Sequence, residues 1–217
     1  MGEAVERDET RAAAVASMVE TMARMQDSHN AKVHPQWRDQ GYENYRAVWV
    51  ECAELLDHFG WKWWKKQDAD LDQVKLEVVD IWHFGLSDMI RAGSLDQAAP
   101  ALLAADDAEA APDAADFRAA VEWLAQEALT CRAFVMAPFV RVLQTLPLAV
   151  DELFRLYVGK NVLNDFRQAH GYKSGEYQKL WHGREDNEHL IEALEGLTCA
   201  VERVPELLFL ALEERYP

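Results

Sequence analysis

Between Leu71 and Leu86 the chain is apolar on nearly every face of the helix its residues would form, yet it carries two acids one turn apart, Glu77 and Asp80. A segment with Val74, Leu76, Val78, Val79, Ile81, Trp82 and Phe84 around its circumference is expected to be a buried helix. A lone carboxylate is costly to desolvate, so these acids need a compensating partner. A second pair with the same spacing, Glu51 and Glu54, lies in the preceding segment, where Val48, Trp49, Cys52, Leu55 and Leu56 form an apolar stripe. A spacing of i, i+3 puts both acids of a pair on one helical face. Two helices joined by the stretch around Gly60 and the acids from Asp68 to Asp72 would bring four carboxylates together. An all-oxygen set of that kind favours Mg²⁺ or Mn²⁺ over Zn²⁺. Simple solvation of the acids stays open, since the chain has 38 Asp plus Glu, and so does ion pairing with Lys62, Lys65, Lys66 and Lys75.

Elsewhere the pattern is helical almost throughout. Helices are expected from Arg11 to about Asn30, Tyr42 to about His58, Asp70 to about Arg91, and Phe117 to Ala137. A further one follows Pro138 to about Val158, bent or split at Pro147, and another runs from Asn161 to His170. Residues 172–187 read as a loop, and Asn187 to about Glu214 as a last amphipathic helix. The Ala/Asp-rich stretch from Gly93 to Asp116 reads as a flexible insert. Period-two alternation is essentially absent, so no sheet is expected. The result is an all-α bundle of about eight helices, with the acid-bearing pair in a four-helix catalytic core.

A net charge of -16 argues against phosphate-backbone binding of nucleic acid. It leaves room for a small anionic substrate, because bound cations reverse the local sign of a site. The three cysteines suggest neither a disulfide framework nor a zinc site; Cys52 and Cys199 read as buried thiols. No apolar run reaches membrane-spanning length and the first residues lack a signal peptide's apolar core, so a cytoplasmic location is expected. Most tryptophans, including Trp37, Trp49, Trp82 and Trp123, read as core. The run Trp61-Lys62-Trp63-Trp64-Lys65-Lys66 interleaves aromatic faces with ammonium groups, which suits either a base-and-phosphate contact or a packed helix end with snorkelling lysines.

Taken together, Gln26-Asp27-Ser28-His29-Asn30, the two acid pairs, Gly60-Trp61-Lys62-Trp63-Trp64-Lys65 and Asn164-Asp165-Phe166-Arg167-Gln168-Ala169-His170-Gly171-Tyr172-Lys173 with Glu185-Asp186-Asn187 resemble the dimeric all-α dUTPase family. That family sits within the all-α nucleoside triphosphate pyrophosphohydrolases. The resemblance implies one domain over residues 1–217 and Mg²⁺-dependent hydrolysis of dUTP to dUMP and pyrophosphate by a homodimer, with Mn²⁺ able to substitute. By the same resemblance Glu51, Glu54, Glu77 and Asp80 would hold Mg²⁺, and Glu51 would also activate the attacking water. Gln26 and Asn30 would read the uracil edge, with Trp64 (or Trp61) lining the base pocket. Lys62, Asn164, Arg167, Tyr172, Lys173, Lys179 and Asn187 would contact phosphates and sugar. Two alternatives stand beside it: a relative acting on dCTP or nucleoside triphosphates generally, or a non-enzymatic helical protein whose acids are paired with bases. Di-iron chemistry would call for a Glu-x-x-His pair, which neither acid pair provides.

Overall fold

The computed structural model describes residues 2–106, 114–199 and 203–217, with side chains from residue 8 onward. Nine α-helices are found among the described residues, in two compact units, residues 1–154 and 155–217. In the first unit α1 (Gly2–Val33), α2 (Asn44–Phe59), α3 (Leu71–Ala92), α4 (Ala98–Asp106), α5 (Ala114–Cys131) and α6 (Met136–Gln144) pack pairwise into a ring: α1 on α3, α3 on α2, α2 on α5, α5 on α6, α6 on α4, and α4 back on α1. The all-α expectation holds, and the two acid-bearing helices lie side by side between α1 and α5.

Local chemistry explains why α2 and α3 meet this way. Gly60 ends α2 at φ 93°, and its N–H donates to the Leu56 carbonyl. The Asp70 side chain caps α3 by accepting from the Gln73 N–H. The Asp70 N–H in turn donates to the His58 carbonyl at 3.0 Å, so α3 starts where α2 ends and returns along it. Gly93, in the left-handed region at φ 70°, closes α3. The core of this unit includes Val15, Met22, Val48, Leu55, Val78 and Leu124, with Trp82 stacked on Phe139 at 5.2 Å between centroids. Trp37 and Trp82 are buried as expected, whereas Trp49 and Trp123 are exposed on α2 and α5.

Residues 107–113 of the stretch expected to be a flexible insert lie outside the described residues. Residues 95–97 form a 3₁₀ turn leading into α4, whose Ala98 and Leu102 are fully buried. Short alanine side chains permit close packing, so low complexity here coincides with a packed helix. The α5–α6 break also differs from expectation. It falls at residues 132–135, where Arg132 has φ 51°, and Pro138 lies inside the first turn of α6, where its missing N–H breaks no helical hydrogen bond.

Phe134 closes this break against α3. Its N–H donates to the buried Asp88 carboxylate at 2.8 Å, and its ring lies over Gly85. A methyl group at Gly85 would come within 2.9 Å of three Phe134 ring carbons. Gly85→Ala is therefore expected to destabilise the protein by about 1 kcal/mol or more in urea unfolding, the overpacking outweighing the gain in helix propensity.

The second unit begins within α7 (Val150–Ala169) and continues through a 3₁₀ turn at 172–174 to α8 (Asp186–Gly196) and α9 (Val204–Glu213). Three expectations are corrected here. The separate helix from Asn161 is part of α7, because no proline interrupts residues 150–169 and Gly159 does not take a positive φ. The last helix is two: α8 ends at Gly196, and α9 starts afresh with Pro205 in its first turn. And a small hairpin exists, β1 (Leu180–Trp181) paired antiparallel with β2 (Arg184–Glu185). His182 and Gly183 both take positive φ, the conformation a two-residue hairpin turn demands. Phe166, Tyr177, Trp181 and Tyr216 pack ring against ring in the core of this unit. Cys199, expected buried, is exposed, as is Cys131.

Candidate metal centre and nucleotide site

One carboxylate oxygen from each of Glu51, Glu77 and Asp80 lies within 4.8 Å of the others. α2 supplies the first and α3 the other two, which follows from the antiparallel return of α3 and the one-turn spacing of Glu77 and Asp80. Glu77 is buried, and Glu51 and Asp80 are half-buried. Burial, followed by the charge of Asp80 and then a hydrogen bond and charge from Glu77, pushes the Glu51 carboxyl from its ordinary 4.5 to about 9. Three crowded acids, whose mutual repulsion and burial raise the proton affinity of Glu51, form an electrostatic arrangement that a divalent cation would neutralise. The donor set is hard oxygen throughout, so the residues fit Mg²⁺ or Mn²⁺. Glu54 is exposed and lies outside this three-oxygen group, though its charge still reaches Glu51.

Three of the four lysines offered by the sequence as alternative partners engage other acids. Lys62 pairs with Asp57, Lys66 with Asp68 at 3.4 Å, and Lys75 with Glu152 at 2.6 Å. Two histidines flank the acids instead, His58 at 3.6 Å from Glu77 and His83 at 4.0 Å from Asp80. The His58 contact is set by helix pairing, whereas the one-turn spacing of Asp80 and His83 is a signal present in the sequence.

Gln26 and Asn30 face α3 from α1. Gln26 is buried and donates to Asn30 Oδ1 at 3.0 Å and to Ser87 Oγ at 3.1 Å; Asn30 donates to the same Ser87 oxygen at 2.9 Å. Trp64 is exposed, edge-on to Trp61 at 5.2 Å, and Lys62 lies over the Trp61 ring. The base-reading and aromatic candidates thus occupy distinct places in the first unit, the amides in a polar seam between helices and the indoles on an exposed turn.

In the second unit Asn164, Arg167 and Asn187 come together. Arg167 donates to Asn164 at 3.1 Å and to both oxygens of the fully buried Asp186 at 2.8 and 2.9 Å. Asn187 is buried and accepts from Lys160 at 3.0 Å and from Arg167 at 3.4 Å. Burial raises the proton affinity of Asp186, but the hydrogen bonds and charge of Arg167, with help from Tyr177 and Lys160, outweigh it and hold the carboxyl below its usual range. Tyr172 and Lys173 are exposed on the 3₁₀ turn, and Lys179 pairs with Glu185 at 3.4 Å.

Two residues absent from the sequence-derived set belong to this polar group, Lys160 and Asp186, both buried. A signal for Lys160 existed. It is the one basic residue in the run from Leu156 to Leu163, and it stands four and seven residues before Asn164 and Arg167, on the same helical face.

Compared with known proteins, residues 18–172 are similar to a family described as dUTPase. No curated protein matches the chain.

Proposed function

Because the chain belongs to the all-α dUTPase family and is by that membership a dUTP diphosphatase, we propose that it hydrolyses dUTP to dUMP and pyrophosphate in a Mg²⁺-dependent reaction centred on Glu51, Glu54, Glu77 and Asp80. The observation that carries this reading is the convergence of three acid oxygens within 4.8 Å on two paired helices. Glu51, Glu77 and Asp80 would hold the cation, with Glu54 reaching it from the exposed side of α2. Bound there, a divalent cation would neutralise the developing charge on the phosphate oxygens and make a nearby water more acidic.

The chain's own residues account for the remaining work. Glu51 accepts the proton of the attacking water on a carboxylate oxygen, which a bound cation would keep ionised against the proton that burial and the neighbouring acids otherwise favour there. Gln26 and Asn30 read the base and Trp64 covers it. Arg167, Asn164 and Asn187, joined by Lys160, are the groups for phosphate and sugar, with Lys62, Tyr172, Lys173 and Lys179 as outer contacts.

Homodimerisation is supported by the family and by apolar side chains left exposed on α2 and α5, among them Trp49, Val50, Trp123 and Leu129. A cytoplasmic location accords with three free thiols. Among the described residues no helix is long and apolar enough to cross a membrane.

The test is pyrophosphate release from a panel of dUTP, dCTP, dTTP and UTP with Mg²⁺, and again after chelation. The expected outcome is cleavage of dUTP ahead of the others, lost with EDTA and restored by Mg²⁺ or Mn²⁺. A preference for dCTP would displace the uracil reading, and undiminished activity after chelation would remove the metal from it.

A further inference from the structure

The orientation of the two amides on α1 is dictated by a hydroxyl on α3. Ser87 is buried and has one proton, which it donates to the His83 carbonyl at 3.0 Å. A carbonyl oxygen only accepts, so in this bond the hydroxyl is the donor. The Ser87 oxygen is then an acceptor toward Gln26 at 3.1 Å and Asn30 at 2.9 Å. With the proton on that carbonyl, an amide turned the other way would set its oxygen against another lone pair, so both side chains offer NH₂ to Ser87. Gln26 spends its second N–H on Asn30 Oδ1 at 3.0 Å. Asn30 is thereby held at both of its amide atoms. The flip of an amide, ordinarily a free choice, is settled here by counting protons and lone pairs.

From this geometry we infer that Ser87 is a positioning residue for base specificity, and the inference rests on the reading of Gln26 and Asn30 as base contacts. With both atoms anchored, Asn30 retains one N–H and one oxygen lone pair, a donor and an acceptor in a fixed order along its edge. Uracil offers a carbonyl acceptor beside its ring N–H donor. Cytosine offers an amino donor beside a bare ring nitrogen, the same two functions in reverse order. In a given pose, then, the anchored amide matches uracil and sets like against like with cytosine. Releasing the anchor lets Asn30 flip and accept either base. The location on α3 is consistent with this role. Ser87 follows Asp80 by seven residues, two turns along the same face, or about 10 Å at the helical rise. That separation is on the scale of a nucleotide's reach from base to phosphates.

The experiment compares kcat/KM for dUTP and dCTP in the wild-type protein, Ser87→Ala, Ser87→Cys and Ser87→Thr, with unfolding curves for each. Ser87→Ala should lower the ratio of dUTP to dCTP efficiency by roughly tenfold or more, since discrimination by anchored hydrogen-bonding groups is lost with the anchor. Ser87→Cys keeps the volume with a weak acceptor and should move in the same direction, which covers the case of an unstable alanine variant. Ser87→Thr keeps the hydroxyl and should restore the ratio. If wild-type enzyme prefers dUTP and the alanine and cysteine variants lose efficiency equally on both substrates, Ser87 supports the fold alone and the inference is overturned. If wild-type enzyme shows no preference for dUTP, the base reading itself fails, and the specificity role falls with it.

Discussion

Glu51→Gln is expected to keep the helical fold and to slow pyrophosphate release from dUTP by roughly a hundredfold or more, because one substitution removes both a general base and a metal ligand. Gln preserves the shape and hydrogen-bonding length of the side chain but can neither take a proton nor carry charge. The same substitution has a second, independent readout. In the metal-free protein Glu51 holds its proton up to about 9, against 4.5 when solvated, so the folded state binds more protons than the unfolded state across that window. By linkage, stability must fall as pH rises through the window, and the contribution is fully present only below its lower end. Metal-free wild-type protein should therefore melt at progressively lower temperature as the buffer is made alkaline, whereas Glu51→Gln should show a flatter profile. Added Mg²⁺ should raise the wild-type melting temperature most at the alkaline end, where the ligands are ionised. Normal turnover by Glu51→Gln would remove the catalytic role, and superimposable melting profiles would remove the electrostatic one.

The next largest effect concerns Arg167. It is the double hydrogen-bond donor to Asp186, whose side chain is 0% exposed. Arg167→Ala strands that carboxylate in the core, and stranding one member of a buried ion pair costs roughly 3–5 kcal/mol. Asp186→Ala should cost less, since Arg167 retains Asn164 and Asn187 as acceptors. The pH dependence carries the sign. Asp186 is held below its usual range in the native state, so the pair's contribution is present above the ordinary carboxylate pKa and disappears as pH falls through the native value. In Arg167→Ala the sign reverses: acidification should recover stability by neutralising the stranded acid. Urea unfolding at neutral and acid pH for both single variants and the double variant measures the coupling. Equal stability losses from Arg167→Ala and Asp186→Ala, with no reversal at acid pH, would mean that the pair is not the anchor of this unit. Arg167→Lys is expected to keep the charge but not the two-point contact, leaving much of the loss in place.

Much of this protein is legible along the chain because its signals are local. Apolar residues three and four apart put Leu55, Val74 and Leu86 on buried faces; Gly60 and Gly93 stop helices where a positive φ is needed; Asp70 caps α3. The spacing of Glu51 with Glu54 and of Glu77 with Asp80 is a property of one helical turn, visible without coordinates. Misreadings occurred where one residue type permits two outcomes. Pro138 looks like a break yet sits harmlessly in a first turn, and the alanines of α4 look like an unstructured linker yet bury Leu102. The exposed Trp49 and Trp123 share the stripe pattern of core residues, because periodicity shows which face is apolar and not whether anything covers it.

What the chain settled alone is therefore its helical period, its stops and caps, and which acids are a turn apart. Tertiary packing decided that Glu51, Glu77 and Asp80 form the tight group while Glu54 stays outside it, because only the rotation of α2 against α3 selects which acids face inward. Packing likewise joined Asp186 to Arg167 and Asn187 to Lys160, and Ser87 to two amides nearly sixty residues or more away in sequence. Those contacts depend on distances between helices, and no repeat within a single helix encodes them.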